Sequence, residues 1–450
     1  MSLKISISGV RGTVPDSLSP EVCLDFAKAF GTYLLEEKSS SSKKVVIGTD
    51  PRSSSEFIKG IVSSGLLSTG CRVIDLGICP TPTVGIMVRE LKADGGIVIT
   101  ASHNPLPWNG LKFMRQDGIF LNESQARRLI RGYDSKQFSR GVPRSVVLDP
   151  SAIDRHIQRI LRIIKPGPIR RKRFKVAIDC CNGAGSEISR KLLKNLGCKV
   201  EAINCDTSLP FPHPPEPVAE NLRQLCRLVK SKKADIGFAF DSDADRLAIV
   251  SEKGKPVGEE ITLALAVKFL LKHSPKKKIV VTNLSTTRAI DDIVREKGGI
   301  LIRTKVGEVH VAEELKNLKG LIGGEGNGGV IYPLIGMNRD ALAALALLLS
   351  YLAENNKSIS DLIAEIPPYF MLKKKIKCRT QDAGEKFIEK VKESFRRKDL
   401  ILTEGVKVVL PSGWVHVRAS NTEPIIRIIA EGKTKSGAKN LIKQVLKPLR

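Results

Sequence analysis

Three times along the chain a short apolar strand pattern runs without a break into a polar loop dense with reactive side chains. Ile97-Val98-Ile99 leads into residues 100–105, the run 236–240 into residues 241–246, and Leu321-Ile322 into residues 323–329. Upstream of each, helical and strand periodicities alternate. In the first segment Ser19 then Pro20 reads as a cap and first-turn proline, and Val22, Phe26, Ala29, Phe30 and Tyr33 recur at helical spacing. Strands at 45–48, 72–76 and 96–99 alternate with helices at 57–68 and 83–91. The second segment gives strands at 175–178, 199–203 and 236–240, with a helix at 187–196 and a proline-rich loop at 209–217. The third gives helices at 260–271 and 288–296 and strands at 279–282, 300–303 and 321–322. Alternating strand and helix implies mostly parallel, twisted sheets. Ligands of such sheets sit beyond the C-terminal strand ends, where these three loops lie.

The tail after Pro367-Pro368 reads differently, as strand, helix, strands and helix, with a buried strand at 425–430 and a helix at 438–446. The expected fold is therefore three consecutive mixed-sheet α/β domains plus a smaller C-terminal α+β domain, arranged around one central cleft. The expected domains are 1–150, 151–256, 257–368 and 369–450. A length of 450 residues suits such a division.

Composition removes several function classes. The longest apolar run, 341–352, is too short to cross a bilayer and abuts Arg339 and Asp340. The start Met1-Ser2-Leu3-Lys4 lacks the apolar core of a secretory signal, so a cytoplasmic location is expected. Nine cysteines, with Cys180 and Cys181 adjacent and no C-x-x-C pair, argue against a disulfide framework or a zinc site. The net charge of +27 raises nucleic acid as a partner, but the basic residues are dispersed in short runs such as 170–173 and 276–278. Aromatics at 5% leave few stacking platforms for single strands. A solvated basic surface that draws in anionic small molecules is the better reading.

Thr100-Ala101-Ser102-His103-Asn104-Pro105 offers a strand-end serine that can act as a nucleophile or carry a phosphoryl group, with His103 and Asn104 able to donate to its oxygens. Asp241, Asp243 and Asp245 alternate in the second loop and supply hard oxygen ligands for Mg2+. An EF-hand also begins D-x-D-x-D, but Arg246 stands where that turn requires glycine, and the flanks read as strands. A phosphatase-type aspartyl nucleophile at Asp241 and a solvated acidic turn stay open at this point. In the third loop the glycines allow close backbone approach, and Glu325 and Asn327 suit sugar hydroxyls, although a plain glycine turn looks the same. A fourth loop, Arg418-Ala419-Ser420-Asn421-Thr422-Glu423-Pro424 with Arg427 beyond, has the makings of a phosphate nest, or of a charged hairpin.

Ser-His-Asn-Pro, Asp-x-Asp-x-Asp-Arg, Gly-Glu-x-Asn-Gly and Arg-x-Ser-x-Thr-Glu-Pro occur once each and in this order. Together with Ser8–Gly12, Thr81-Pro82-Thr83 and Asn109–Phe113, they make the chain resemble the α-D-phosphohexomutases over essentially its whole length. The nearest likeness is to the archaeal-type phosphoglucosamine mutases. The resemblance implies an intramolecular phosphotransferase interconverting hexose 6-phosphate and hexose 1-phosphate through a hexose 1,6-bisphosphate. Glucosamine phosphates are the favoured substrates, with phosphomannomutase or phosphoglucomutase activity as the alternative. It further implies that Ser102 is a phosphoserine, and that its phosphate with Asp241, Asp243 and Asp245 holds one Mg2+ per chain. Arg11 and Lys112 would assist proton transfer beside His103. Arg246 and Lys305 would line the substrate cleft, and Glu325 and Asn327 would read the sugar. Arg418, Ser420, Asn421, Thr422 and Arg427 would grip the distal phosphate. The expected partners are small sugar phosphates, with no nucleic acid and no membrane, in a monomer or homodimer. One departure stands out: Gly329 occupies the place where the glucose/mannose enzymes and bacterial phosphoglucosamine mutases carry a histidine. His310 is the substitute nearest Lys305, although a surface histidine reads the same way.

Overall fold

The computed structural model describes residues 3–37, 43–274, 276, 278–378, 380–419 and 425–447, and among them it forms four sheets. The first has the spatial order Lys4–Ser6, Gly9–Thr13, Trp108–Arg115, Gly95–Ile99, Lys44–Thr49, Arg72–Ile78, Val146–Leu148. Its last four strands are parallel and its first three antiparallel. The second sheet, Leu247–Ser251, Ile236–Phe240, Lys175–Asp179, Lys199–Ile203, and the third, Ile300–Thr304, Ile279–Asn283, Ile322–Glu325, Gly329–Ile331, each carry one antiparallel edge strand on a parallel core. The fourth is antiparallel throughout: Phe370–Lys377, Ile425–Gly432, Gly413–Ala419, Val406–Leu410, Asp399–Ile401.

The expected parallel strands and crossover helices are present, most within two residues of the predicted bounds. The antiparallel additions were not predicted strand by strand. Trp108–Arg115 reads as polar because of Asn109, Gly110 and Lys112, yet every residue from Trp108 to Met114 is buried. It runs back along Gly95–Ile99 and completes the edge of the parallel sheet. The glycine-rich segment is also shorter as a loop than expected. Gly323, Gly324 and Glu325 belong to the strand Ile322–Glu325, which pairs antiparallel with Gly329–Ile331. Only residues 326–328 turn.

One apolar cluster runs from Val46, Ile74 and Val98 through Val176 and Ile178 to Val280, Ile322 and the helix Ala341–Asn355. That helix, the longest apolar run of the sequence, is buried from Ala341 to Ala353, and no described helix is long and apolar enough to cross a membrane. Burial on all sides explains its composition. The fourth sheet has a separate core around Val391, Val406, Val415, Ile426 and Leu441. Polar contacts join it to its neighbour: Lys407 Nζ donates to the Leu284 carbonyl at 2.6 Å, Arg288 N–H to Glu431 Oε1 at 2.8 Å, and Ser285 Oγ lies 2.9 Å from His416 Nδ1.

Candidate active site

The serine loop leaves the fully buried strand Gly95–Ile99 and is held from beneath by a buried arginine. Arg52 donates to the carbonyls of Ser102 at 2.6 Å, Asn104 at 2.7 Å, Pro105 at 2.7 Å and Trp108 at 2.9 Å. Its Nε is paired with Asp50 Oδ2 at 3.0 Å, and the same oxygen accepts from Thr100 Oγ1 at 2.7 Å and lies 3.0 Å from Ser242 Oγ. A planar five-donor fork suits this task, and a lysine could not reproduce it. Ser102 itself stands at φ 49°, a left-handed conformation unfavourable for a side chain bearing a Cβ. Thr100 Oγ1 accepts the Ser102 N–H at 2.8 Å and Ser242 Oγ donates to its carbonyl at 2.7 Å, which fixes that backbone. Its Oγ then points out of the first domain, 3.2 Å from Asp241 Oδ2.

Asp241 ends the buried strand Ile236–Phe240, and the loop folds back so that Asp241 Oδ1 accepts the N–H groups of Asp245 and Arg246, each at 3.1 Å. One oxygen each of Asp241, Asp243 and Asp245 lie within 4.8 Å of one another, all buried. Asp243 Oδ2 is taken by Lys112 Nζ at 2.8 Å and Thr81 Oγ1 at 2.6 Å, and Asp245 Oδ2 by Arg339. The second oxygens, Asp243 Oδ1 and Asp245 Oδ1, are buried without a hydrogen-bond partner. Buried polar atoms are seldom left so. Burial and the two neighbouring aspartates push the Asp241 carboxyl well above its ordinary range. Burial also acts on Asp243, but the Lys112 ammonium outweighs it and holds that carboxyl low. Orphaned hard oxygens converging on one point fit a divalent cation of the Mg2+ class.

His103 Nδ1 lies 3.4 Å from Ser102 Oγ and 3.0 Å from Arg246 Nη2. Burial, with the Arg246 and Arg11 charges, pushes its imidazole down to about 2, so the ring is neutral and Nδ1 accepts from Arg246. Arg246 also faces Asp241 at 3.8 Å, Asp245 at 3.7 Å and Glu216 at 3.5 Å. Arg11, from the strand Gly9–Thr13, donates to Asn104 Oδ1 at 3.3 Å, and burial lowers its pKa. Burial works against the Lys112 ammonium too, but Asp243 and Asp245 hold its pKa above the ordinary value.

Glu325 ends its strand buried. Oε1 accepts Asn283 Nδ2 at 2.7 Å and Gly307 N–H at 3.0 Å, and Oε2 accepts Arg339 Nη1 at 2.6 Å. Burial opposes its charge, yet Arg339 and Asn283 keep it ionised below the usual carboxylate range. Asn327 Oδ1 accepts the Gly329 N–H at 3.1 Å. Lys305 is exposed beside Val306, whose N–H donates to Glu404 Oε2 at 2.6 Å. His310 is half-buried on the helix Glu308–Asn317, and the member of that turn that reaches the other site residues is Glu308, which accepts Arg339 N–H at 2.8 Å. Arg418 and Arg427 stand directly opposite each other on neighbouring strands. Glu404 Oε1 takes Arg418 Nη1 at 3.2 Å, while Arg418 Nε is buried without a partner. Like charges so placed repel, and Glu404 offsets part of that repulsion at Arg418. Ser420, Asn421 and Thr422 lie outside the described residues.

Sequence reading missed Asp50, Arg52, Asn283, Glu308 and Arg339, and it singled out Thr81 in a motif without giving it a role. Asp50-Pro51-Arg52 does follow a strand end, as the three loops do, and that position was the available signal. Arg339 carried none, because it stands at the head of an apolar helix rather than in a loop of reactive side chains.

Four family models match in series, each describing one part of phosphoglucomutase/phosphomannomutase: α/β/α domain I over residues 3–140, domain II over 154–254, domain III over 258–370, and the C-terminal domain over 376–447. The chain belongs to the phosphoglucomutase/phosphomannomutase family. Within this family it is 38% identical to a phosphoglucomutase/phosphomannomutase of Thermococcus kodakarensis, covering 98% of this chain and 97% of the relative. It is 36% identical to a probable phosphoglucosamine mutase of Methanopyrus kandleri, covering 96% and 95%. A crystal structure of a phosphoglucomutase/phosphomannomutase family protein from Burkholderia thailandensis superposes with a TM-score of 0.86 at 27% identity, over 99% of this chain and 97% of that one. The match of all four domains makes this a member of the α-D-phosphohexomutase superfamily and accounts for three α/β sheets followed by an antiparallel one.

Proposed function

We propose that this family member is a Mg2+-dependent phosphohexomutase that moves a phosphoryl group between O6 and O1 of a hexose by way of Ser102, with glucosamine phosphates preferred. The observation that carries the reading is the convergence of Ser102 Oγ, the aspartate triad, Lys112 and Arg246 at one point between the first two domains. The preference for glucosamine is supported by relatives named probable phosphoglucosamine mutase. The Thermococcus relative named phosphoglucomutase/phosphomannomutase keeps mannose and glucose phosphates as the second reading.

A mutase must present one phosphoryl donor to two chemically different ends of a sugar. With the phosphoryl group on Ser102, a sugar hydroxyl attacks phosphorus, the Oγ–P bond breaks as the new O–P bond forms, and the hydroxyl proton ends on the departing Ser102 Oγ. Ser102 Oγ is then the hydroxyl that donates to Asp241 Oδ2. The resulting hexose 1,6-bisphosphate turns over, and its other phosphate returns to Ser102. Asp241, Asp243 and Asp245, with a phosphoserine oxygen, would hold Mg2+, which when bound neutralises charge on the transferring group. Lys112, kept protonated by Asp243, adds a fixed positive charge beside that group. Arg11 adds a second positive charge beside the serine loop, which favours loss of the attacking hydroxyl's proton. His103, neutral and oriented by Arg246, is placed to donate from Nε2. Glu325, Asn327 and Lys305 line the sugar's position. Arg418 and Arg427 hold the distal phosphate without reading the carbon that bears it, so either end of the sugar is accepted. Opening of the domain from about residue 369, which has its own core, gives the bisphosphate room to turn.

The rival phosphatase reading needs Asp241 as a free nucleophile. Its carboxylate is instead spent on two backbone N–H groups and Ser102. Parallel assays with glucosamine 6-phosphate, mannose 6-phosphate and glucose 6-phosphate, primed with the matching bisphosphate, test the proposal. Conversion of all three to 1-phosphates, fastest for glucosamine, is expected. Glucosamine phosphate as the slowest substrate would overturn the preference, and release of inorganic phosphate alone would overturn the mutase.

A further inference from the structure

Arg339 is a buried cation that faces three carboxylates, Asp245, Glu325 and Glu308. It precedes the helix Ala341–Asn355, whose first turn is capped by Asp340, and Asp340 N–H is tied to the Val330 carbonyl at 2.8 Å. From this rigid base its guanidinium reaches Asp245 Oδ2 of the aspartate loop through Nη2 and Glu325 Oε2 of the sugar loop through Nη1. Its Nε lies 3.3 Å from Glu308 Oε2. It therefore bridges the aspartate loop of the second domain and the end of the strand Ile322–Glu325 of the third. The path of its stem explains Gly329: a Cβ built there would lie 2.2 Å from Arg339 Cδ and 2.9 Å from Cγ. Gly329 is not held in a left-handed conformation, so glycine is required for space rather than for backbone freedom. A side chain at 329 and the observed Arg339 exclude each other.

We infer that Arg339 is a positioning residue with two opposed effects. It fixes Glu325 for the sugar, and it weakens cation binding by occupying one carboxylate oxygen of Asp245 and adding a positive charge beside the aspartate triad. Gly329 is the space that permits this. The sugar half rests on the mutase reading, and the cation half does not. The two effects distinguish positioning from simple structural support, because loosening the fold weakens both kinds of binding, whereas removing this charge moves them in opposite directions.

The test uses the full chain and the substitutions Arg339→Met, Arg339→Lys and Gly329→Ala. Calorimetric titration with Mg2+ alone reads the cation, steady-state kinetics with hexose 6-phosphates read the sugar, and circular dichroism checks the fold. For Arg339→Met, Mg2+ binding tightens by about threefold or more as the repelling charge is lost. At the same time KM for hexose phosphate rises roughly tenfold, the size of one lost charge-assisted contact to the group that reads the sugar. Arg339→Lys keeps Mg2+ affinity near that of the unsubstituted chain, with an intermediate KM. Gly329→Ala, which pushes Arg339 aside, moves both quantities in the direction of Arg339→Met. Should Arg339→Met fail to fold, Gly329→Ala decides alone. Unchanged or weaker Mg2+ binding in the folded variants overturns the cation half, and unchanged KM overturns the sugar half. A chain that converts no hexose phosphate before substitution contradicts the mutase reading instead, and the Mg2+ titration then decides the role of Arg339 by itself.

Discussion

Ser102 Oγ of the first domain donates to Asp241 Oδ2 of the second at 3.2 Å, although the two residues are 139 positions apart. The Ser102 backbone is left-handed at φ 49°, and its carbonyl is held by Arg52 and Ser242. The loop is thus strained locally and restrained from both domains.

Ser102→Ala and Ser102→Gly are both expected to lower turnover by several orders of magnitude, the scale of losing a nucleophile. They should differ in stability. Glycine relieves the left-handed strain, so Ser102→Gly unfolds at higher denaturant than Ser102→Ala, by about 1 kcal/mol. Intact-mass measurement should find the phosphate of the unsubstituted chain in neither variant. Full turnover in either would contradict the assignment.

Arg52→Met is expected to cost on the order of 3–5 kcal/mol, because Asp50 is left as an unpaired buried charge and the serine loop loses its donor. A chain that still folds should show kcat falling more than KM rises, since the loop that positions the nucleophile loosens while the phosphate contacts remain. A KM effect alone would show that Arg52 serves binding rather than loop geometry.

Asp243→Asn removes a charge from the proposed Mg2+ site and the counter-ion of Lys112. Weaker Mg2+ binding and slower phosphoryl transfer are expected, with sugar-phosphate affinity changed less. An unaltered dependence of rate on Mg2+ would place the cation elsewhere.

Arg427→Ala should raise KM for every hexose phosphate by similar factors, roughly tenfold to a hundredfold for one charge-assisted contact. Phosphate is common to all of them, and Arg427 stands opposite Arg418 on the neighbouring strand of the fourth sheet, whereas Glu325 belongs to the third. A switch in sugar preference would contradict that division of labour.

His213 ties the loop 206–217 to the second sheet through Asp179 Oδ2 at 3.1 Å, and that loop carries Phe211 over Arg52 at 5.1 Å and Glu216 beside Arg246 at 3.5 Å. Burial alone would lower its pKa, but the bond to Asp179 wins and raises it from 6.5 to about 11. A raised pKa stabilises the fold fully below the unfolded value and is lost as pH climbs through the folded one. His213→Gln should therefore destabilise most below about pH 6.5 and progressively less toward about pH 11, as measured by urea unfolding across that range. A pH-independent difference would mean that the imidazolium contributes nothing.

Much of this architecture is legible in the chain because parallel strands are nearly pure apolar runs and their crossover helices show a 3.6-residue period. The three reactive loops stand out for the same reason, each breaking abruptly from an apolar strand. Trp108–Arg115 was hidden because Asn109 and Lys112 are buried for contacts that only tertiary structure supplies, Lys112 to Asp243 and Asn109 to Ser54 and Ser55. Arg52 and Arg339 were hidden because lone arginines have no pattern. Their roles lie in which carbonyls and carboxylates the fold brings around them. Gly329 reads in sequence as a missing histidine, whereas in the structure its place is filled by the stem of Arg339.

The most direct test of the central claim is to load Ser102 with radiolabelled phosphate and mix the protein with an unlabelled hexose 6-phosphate and Mg2+. Phosphoryl transfer through Ser102 predicts that the label leaves the protein, appears first in hexose 1,6-bisphosphate, and then spreads into the 1-phosphate and 6-phosphate. Label that leaves only as inorganic phosphate, or that stays on the protein while the sugar isomerises, would contradict it.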